Sequence, residues 1–334
     1  MSRVVSQPPN VICFGEVMTR LTPSRANETL FSSDELRIDF AGAESNVASA
    51  LARWGAETSL VTKFPDNPIS DKAISHLSAY GINTKYVNRG GPRLGTYYIE
   101  LGSSIRPSRV VYDRAGSSFS QVTKSEFDWP SILRNADCLH ISGITSALSK
   151  QCAEENLEAA KRAQEMGVVV SFDLNFRRSL WSENHNAAEL FIDILHHTDI
   201  VFGNQGVVKD VFGYDGNNSA QYIQQNFNIE NVAFTQRKHI DASTNILSGE
   251  LLTKDGAFFS EPRKIEIKDR FGTGDAFAAG ILWGYLNGFS SQHTLDFATA
   301  AFALKHTIWG DQLTASKDEI QSIANGNVSG HVIR

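Results

Sequence analysis

The sequence has few cysteines. It contains three in 334 residues, Cys13, Cys138 and Cys152. They are odd in number and scattered, and they lack the paired spacing of a zinc site, so no metal ligand set and no disulfide framework is predicted. Such cysteines are typical of reduced, buried thiols in a cytoplasmic protein. Residues 1–10 contain two prolines and no apolar segment, so no signal peptide is expected there.

Long hydrophobic runs and basic clusters are also missing. No apolar stretch approaches the roughly 20 residues that cross a membrane. No run of lysine and arginine suggests a nucleic-acid surface, and the net charge is −6. With 41% hydrophobic and 20% charged residues, the composition is that of a globular protein with ample material for a core. The sequence therefore predicts a soluble cytoplasmic protein that acts on a small molecule, with neither a nucleic acid nor a membrane as partner.

Three common catalytic motifs are absent as well. A Walker A loop is missing, which argues against a P-loop enzyme. The dinucleotide fingerprint fails because the residue three after Gly274 is Phe277 instead of glycine. No Gly-x-Ser-x-Gly elbow occurs, which argues against an α/β-hydrolase.

The central part of the chain, residues 135–240, alternates predicted strands and helices. This alternation predicts a parallel sheet covered by helices on both faces. Ligands of such sheets bind beyond the carboxyl ends of the strands. Polar residues gather at those predicted ends: Asn175, Arg177, Asn204 and Arg237.

Three short β-rich segments stand outside this alternation. Residues 36–40 alternate apolar and charged side chains, and residues 95–101 and 108–112 form a predicted hairpin. We expect these segments to form a small sheet that stands off the main body.

A glycine turn at residues 269–277, Asp-Arg-Phe-Gly-Thr-Gly-Asp-Ala-Phe, precedes a predicted helix. The first amides of a helix lack intrahelical partners, and together with the helix dipole they favour an anion. A carboxylate beside an anion site suits a base that takes a proton from a nucleophile attacking a phosphoryl group. From these residues alone, Asp275 is either such a base or an ordinary helix cap.

Four separated stretches resemble the ribokinase-like (PfkB-type) sugar kinases. In chain order they are Gly15-Glu16, Gly42-Ala43-Glu44-Ser45-Asn46-Val47-Ala48, Asp173-Leu174-Asn175 and the turn at 269–277. Each is weak alone, but their order and spacing extend over nearly the whole chain. The resemblance implies an α/β fold: a three-layer α/β/α body with a mostly parallel central sheet and a small β-sheet lid. It also implies a single domain over residues 1–334, with the lid formed by about residues 18–40 and 92–118.

Within this family, further details are similar to 2-keto-3-deoxygluconate kinases. They occur at residues 41–44, 112–117, 140–144, 173–177 and 305–311. The resemblance implies transfer of a phosphoryl group from ATP, with Mg²⁺, to the 6-hydroxyl of this sugar acid, and it leaves a monovalent cation such as K⁺ open. The alternatives are the same chemistry on a neutral sugar, as in a fructokinase or ribokinase, and a catalytically silent sugar sensor.

The resemblance also assigns roles residue by residue. It implies Asp275 as the general base, and the amides of Gly272, Thr273 and Gly274 as the anion hole. The implied sugar-binding residues are Gly42, Ala43, Asn46, Tyr97, Tyr112, Arg114, Ile144, Arg177, Asp275 and Asp311. The implied nucleotide-binding residues are Asn175, Asn204, Thr235, Arg237, Gly272 and Gly274.

Several of these roles have plainer alternatives. Arg114 and Arg177 are candidates for the substrate carboxylate, because a guanidinium pairs well with it, but Arg177 also suits a surface salt bridge and Arg114 a structural role. Tyr97 and Tyr112 suit packing within the lid sheet as well as sugar binding. Asp311 suits either the substrate side of the site or the capping of a loop turn.

Two positions depart from the family pattern. The motif after the predicted strand at 199–202 usually ends in a glutamate that helps to organise magnesium and phosphate, but Val207 stands there. Magnesium would then be held through water and the phosphates. Residues 236–239, Gln-Arg-Lys-His, replace the usual glycines of the nucleotide loop. Arg237 and Lys238 are therefore expected either to contact nucleotide phosphates or to form a solvated basic turn.

The predicted lid also suggests a partner. Its sheet would expose apolar residues such as Ile38 and Val110, and an open sheet edge needs covering. Related kinases often pair their lids, so the sequence predicts a homodimer formed through the lid.

Overall fold

The computed structural model describes residues 7–25, 27–181 and 187–327. The expectation that residues 1–10 do not form a signal peptide concerns a segment that lies mostly outside these ranges. Within them, no helix combines the length and the apolar character needed to cross a membrane.

Strands and helices alternate along most of the chain. The strands are β1 (Asn10–Phe14), β2 (Met18–Pro23), β3 (Leu36–Ala41), β4 (Glu57–Phe64), β5 (Asn83–Arg89), β6 (Thr96–Glu100), β7 (Arg109–Asp113), β8 (Cys138–Ser142), β9 (Val169–Asp173), β10 (Ile200–Gly203), β11 (Asn231–Asp241), β12 (Thr244–Thr253), β13 (Gly256–Phe259) and β14 (Arg263–Glu266). The helices are α1 (Ala43–Trp54), α2 (Pro68–Ala79), α3 (Trp129–Leu133), α4 (Gly143–Leu148), α5 (Lys150–Glu165), α6 (Ala187–Leu195), α7 (Gln205–Phe212), α8 (Ser219–Phe227), α9 (Thr273–Leu286), α10 (Ser291–Lys305) and α11 (Lys317–Ala324).

The larger sheet has the strand order β13-β12-β11-β10-β9-β8-β1-β4-β5, and β14 pairs with the other half of β12. All neighbours from β11 to β5 are parallel, whereas β12 is antiparallel to β11, β13 and β14. The predicted mostly parallel sheet is confirmed. The carboxyl ends of its parallel strands meet at one edge, which is where a ligand site is expected.

The parallel strands are buried on both faces, as β1 illustrates. Val11 and Cys13 belong to an apolar core that includes residues of α1, α9 and α10, whereas Ile12 and Phe14 belong to a core with residues of α5, α6 and α8. A strand buried on both faces is a continuous apolar run, which explains its sequence. The predicted three-layer α/β/α arrangement is confirmed.

The smaller sheet has the order β3-β2-β6-β7 and forms the lid. The predicted hairpin is the antiparallel pair β6–β7, and β2 and β6 are parallel. The sequence did not reveal β2 as a separate strand, because the apolar residues of β1 continue through Val17 and Met18. The prediction of an exposed Val110 was wrong: it packs against the inner apolar cluster of the lid, and Val111 is exposed instead. A one-residue error inverts the face of a strand.

The expected turn after Thr235 was also wrong. Residues 236–239 continue β11, which pairs antiparallel with β12 as far as Asp241. Polar side chains on a long strand gave no apolar alternation from which to predict it. The strands that follow β12, which are β13 and β14, both pair antiparallel with it.

Candidate active site

A cleft of about 1010 Å³ lies between the lid and the carboxyl ends of the parallel strands. Every residue that the sequence assigned to the site lines it. The cleft thus brings together side chains from both halves of the chain, including Asn46 from α1, Tyr97 from β6 and Asp275 from α9. Sequence reasoning gave no site role to five charged residues of its wall: Glu16, Glu44, Asp173, Glu250 and Arg270.

The glycine turn before α9 contains one residue, Gly272, in the left-handed backbone conformation. Gly272 has φ 70°, a conformation that favours glycine, and a Cβ at this position would overlap the carbonyl oxygen of Asp311. The Oγ1 of Thr273 donates to the carbonyl of Arg270 at 3.1 Å. The following first-turn amides have no intrahelical acceptors, so they are available to an anion in the cleft.

Asp275 is the third residue of α9 and is 92% removed from solvent. The N-cap, Gly272, makes no side-chain hydrogen bond, and Asp275 stands in the first turn, where a carboxylate also complements the helix dipole. The Oδ2 of Asp275 accepts a 2.7 Å hydrogen bond from Nδ2 of Asn46. Burial raises the pKa of Asp275 to about 8; the bond from Asn46 opposes this rise and the charge of Asp173 adds to it. A carboxyl with this pKa exchanges a proton near neutral pH.

Two further carboxyl groups lie at neighbouring strand ends. Burial raises the pKa of Glu44 to about 7, and its Oε1 accepts hydrogen bonds from Ser142 at 2.5 Å and Thr145 at 3.3 Å. Burial raises the pKa of Asp173 to about 6, which the charge of Arg177 opposes. A Cβ at Gly15 would overlap the Glu44 carboxyl group, so the opening glycine makes room for it. The family motifs that contain Gly15 and Glu44 are therefore in contact in the structure.

Two arginines lie at the glycine turn. Arg237 donates to Oγ1 of Thr273 at 2.9 Å, and Arg270 donates to the carbonyl of Ala242 at 2.7 Å. Desolvation and the nearby charges of Arg270 and Arg177 lower the pKa of Arg237 to about 10, so it stays cationic at neutral pH. Like charges gathered in this way favour a ligand that carries several negative charges.

The lid end of the cleft holds the predicted sugar-binding residues. Tyr97 is buried and its ring stacks on that of Tyr112, with 6.1 Å between centroids, so packing within the lid accounts for both while they also line the cleft. Gly42 is the N-cap of α1 and a Cβ there would overlap the carbonyl oxygen of Glu16. Ala43 and Ile144 stand in the first turns of α1 and α4.

The two candidate arginines for a substrate carboxylate differ in their partners. Arg114 is buried, and both its Nε and its Nη2 donate to Oε2 of Glu16, whose other oxygen accepts from Ser117. Arg177 is exposed at the cleft, and no ion pair joins it to another described residue. Arg177 therefore has no ion-pair partner within the described ranges, where the alternative of a surface salt bridge is not seen, and its charge acts on Asp173 through space.

Asp311 belongs to a buried network instead of capping a turn. Its Oδ2 accepts a 3.0 Å hydrogen bond from the hydroxyl of Tyr97, and its Oδ1 pairs with Arg20. Arg20 also pairs with Asp269 at 2.6 Å. The only signal for Arg20 in the sequence is weak: it is a single arginine within a strand that is otherwise apolar or threonine.

The predicted nucleotide side is assembled from strand ends. Asn175 has φ 28° and its amide donates to Asp173 at 3.0 Å, which shapes the turn after β9. Asn204 caps α7 by accepting from the amide of Val207 at 3.1 Å. Val207 is only partly buried and lines the cleft where the family pattern has a carboxylate. In the described ranges, no group of three or more His, Cys, Asp or Glu residues is arranged to hold a metal ion.

Comparison with known proteins places this cleft in a family. Residues 8–316 match the model of the pfkB family carbohydrate kinases. The 2-dehydro-3-deoxygalactonokinase of Haloferax volcanii is 30% identical over 323 residues, which cover 96% of this chain and 98% of that protein. The 2-dehydro-3-deoxygluconokinase of Thermoproteus tenax is 26% identical, covering 81% of this chain and 80% of that protein.

A solved structure gives the same result. The crystal structure of 2-dehydro-3-deoxygluconokinase from Thermotoga maritima has a TM-score of 0.92 at 39% identity, covering 95% of this chain and all of that one. The resemblance drawn from the four sequence motifs is confirmed, and so is the ribokinase-like fold with its lid. The chain is a sugar kinase similar to kinases of 2-keto-3-deoxy sugar acids. It belongs to the pfkB family of carbohydrate kinases.

Proposed function

We propose that this kinase transfers the γ-phosphoryl group of ATP to the 6-hydroxyl of 2-keto-3-deoxygluconate. The observation that carries the proposal is the position of Asp275: a buried carboxyl group held by Asn46 beside the open first turn of α9. A base and an anion site are thereby adjacent in a cleft lined by cations. This arrangement suits a reaction in which a hydroxyl loses its proton while negative charge gathers on a phosphoryl group.

In the proposed step, Asp275 accepts the proton of the 6-hydroxyl. The oxygen thus released forms a bond to the γ-phosphorus, and the bond from that phosphorus to the bridging oxygen breaks, leaving ADP. The amides of Gly272, Thr273 and Gly274 stabilise the charge on the transferred group. Arg237, fixed by its bond to Thr273, is placed to act on the same charge.

The preference for an acid sugar rests on Arg177. A neutral hexose has no carboxylate that needs a cation, whereas a sugar acid does, and a guanidinium binds a carboxylate through paired donors. Arg114 would add hydrogen bonds, but Glu16 already balances its charge. The relative from Haloferax volcanii is named for the galactonate epimer, which differs from the gluconate form in the configuration of one hydroxyl. Both epimers therefore belong in the substrate test.

ATP is the phosphoryl donor that membership of this family implies, and the donor set of the nucleotide side fits an anionic phosphate chain. We propose that Thr235, Asn175 and Asn204 contact the nucleotide from the strand ends. Magnesium would enter with ATP and keep much of its water, because Val207 offers it no ligand. A requirement for K⁺ stays a prediction.

We further propose that the chain forms one domain over residues 1–334 and dimerises through its lid. Exposed apolar side chains on the lid support this: Leu36, Ile38 and Val111 are 38%, 44% and 54% exposed. A cytoplasmic location is supported by the three free cysteines, all of them buried.

A coupled assay of ADP release, run over neutral sugars and both keto-deoxy acids, tests the proposal. Rapid turnover of a keto-deoxy acid is expected. Preferential turnover of fructose or ribose would favour the neutral-sugar alternative. Measurable sugar binding without any turnover would favour the silent sensor.

A further inference from the structure

Arg20 is a buried cation, and two of its three hydrogen-bond partners lie outside its own sheet. It stands in the lid strand β2 and is 3% exposed. Its Nε donates to Oγ1 of Thr22 at 3.1 Å within the lid. Its Nη2 donates to Oδ2 of Asp269 at 2.6 Å, and its Nη1 donates to Oδ1 of Asp311. Each nitrogen of the guanidinium therefore has an acceptor, and two of the three acceptors belong to the body.

Both aspartates that Arg20 binds contact the turn that would hold the phosphoryl group. The Oδ1 of Asp269 accepts from the amide of Phe271 at 3.0 Å, and its Oδ2 accepts from the amide of Gly310 at 3.1 Å. The backbone carbonyl of Asp311 lies directly against Gly272. The Asp269 carboxylate thus bonds to the turn from one side, and the backbone of Asp311 packs against it from the other.

The lid supplies a second contact to the same place. Tyr97 of β6 is the register partner of Arg20 in β2, and its hydroxyl donates to Oδ2 of Asp311 at 3.0 Å. The two lid residues therefore occupy both oxygens of Asp311. The Arg20 guanidinium also lies 5.5 Å from the ring centroid of Phe271, within the turn itself.

Because this hydrogen-bond network is buried, breaking it costs free energy. Asp269 and Asp311 are 1% and 7% exposed, and in such surroundings an unpaired carboxylate is strongly destabilised. Lys305, also buried, donates to the carbonyl of Ile308 at 2.9 Å and adds positive charge nearby. A shift of the lid that withdrew Arg20 would leave two carboxylates unpaired beneath the anion hole.

From these contacts we infer that Arg20 is a positioning residue that makes the alignment of the Gly272–Gly274 amides depend on the seating of the lid. Sugar bound under the lid and phosphate bound at the turn then strengthen each other's binding. The inference rests on the proposed function, since it requires a sugar at the lid and a nucleotide at the turn.

The test compares Arg20→Lys with wild type and with Arg93→Lys. Arg93 is a matched lid control, since it pairs with Asp113 at 2.7 Å on the lid surface and lies outside the cleft. The dissociation constant of a non-hydrolysable ATP analogue with Mg²⁺ is measured by calorimetry, with and without saturating 2-keto-3-deoxygluconate. The ratio of the two constants gives the coupling, which in binding proteins is about 5- to 150-fold. Values of kcat and KM are measured in parallel.

We expect coupling of at least about 5-fold in wild type and in the Arg93 variant, and a ratio near 1 in Arg20→Lys. The kcat of Arg20→Lys is expected to fall about 10- to 100-fold while KM for the sugar acid changes much less, because the lost alignment acts mainly in the transition state. A purely structural role would lower the melting temperature without changing the coupling ratio.

Wild-type coupling in a folded Arg20→Lys protein would overturn the inference, and so would a wild-type ratio of 1. If Arg20→Lys fails to fold, Tyr97→Phe decides, because it removes one hydroxyl from the network: its coupling should fall, and an unchanged ratio would refute the inference. Absence of sugar-acid turnover in wild type would refute the proposed function itself. Normal wild-type turnover without coupling would refute only the role of Arg20.

Discussion

The Nδ2 of Asn46 donates a 2.7 Å hydrogen bond to Oδ2 of Asp275, joining the first turns of two helices that are 229 residues apart in the chain. The bond fixes the carboxyl group from one side. Asn46 is itself buried, and its Oδ1 has no hydrogen-bond partner among the described residues. A buried acceptor without a partner is costly, so we propose that a hydroxyl of the substrate donates to it.

Replacing Asp275 with asparagine tests its role as the base. Asp275→Asn keeps the shape and an acceptor for Asn46 but cannot take the proton, so kcat is expected to fall by about 10²- to 10⁴-fold. Calorimetry should still detect sugar binding. Asp255→Asn, in the turn between β12 and β13, is the matched control and should match wild type within about 2-fold in rate. Retention of most activity in Asp275→Asn would exclude it as the base.

The pKa of Asp275 predicts a pH profile. A base must be unprotonated to act, and burial raises the pKa of this carboxyl group to about 8 in the free protein. The value of kcat/KM for the sugar acid should therefore rise with pH, about tenfold per unit below the pKa, and level off above about pH 8. The assay needs coupling enzymes in excess at each pH. A profile that is flat from pH 6 to 9 would contradict this assignment.

Arg177 and the adjacent Arg178 provide a test variant and its matched control. Removing a charge-assisted hydrogen bond costs about 1.5–3 kcal/mol, so Arg177→Ala should lower kcat/KM for the sugar acid by about 10- to 150-fold. Any weak turnover of fructose should be nearly unaffected. Arg178→Ala removes an exposed arginine that pairs with Asp210 at 2.7 Å and should leave both activities unchanged. Equal kinetics of Arg177→Ala and wild type on the acid would refute the carboxylate contact.

The glycine turn predicts a contrast between two alanine variants. Gly272→Ala places a methyl group at positive φ against the carbonyl of Asp311, so the melting temperature should fall by several degrees. A Cβ at Gly274 meets no atom within 4 Å, so Gly274→Ala should melt within about 1 °C of wild type and should lose activity through crowding of the phosphoryl group. Differential scanning fluorimetry measures both. Similar melting temperatures for the two variants would contradict this account of the turn.

The lid predicts the oligomeric state. Light scattering at micromolar concentration should give twice the mass of one chain, and Ile38→Glu or Val111→Glu should give a monomer, since either places a charge on the exposed apolar surface. Ile69→Glu alters a similarly exposed isoleucine, 46% accessible, on α2 of the body and should remain dimeric. A monomeric wild type would refute the dimer.

The sequence predicted the parts of the molecule that local patterns encode. The apolar run at Val11–Phe14 and the glycine turn before Asp275 identify a buried strand and a helix start, because their residues fix the local conformation. The family resemblance added the residues of the site, and every residue that it assigned lines the same cleft. Local patterns could not predict β11 beyond Thr235, because its polar residues owe their strand conformation to pairing with β12.

Ion pairs between residues far apart in the sequence could not be predicted either. Arg114 appeared as a free cation in the sequence, but Glu16, 98 residues earlier, already balances it. Arg20 belongs to none of the sequence motifs. Its proposed positioning role follows only from contacts with residues 249 and 291 positions away in the chain. Partners so distant in sequence leave no periodic signal, whereas the fold brings them within hydrogen-bond distance.

Incubating the purified protein with ATP, Mg²⁺ and 2-keto-3-deoxygluconate, and identifying the product by ³¹P and ¹³C nuclear magnetic resonance, tests the proposed reaction most directly. We expect stoichiometric ADP and a sugar acid phosphorylated at the 6-hydroxyl, formed by wild type and nearly abolished in Asp275→Asn. No phosphorylated sugar acid, or a phosphate at another hydroxyl, would contradict it.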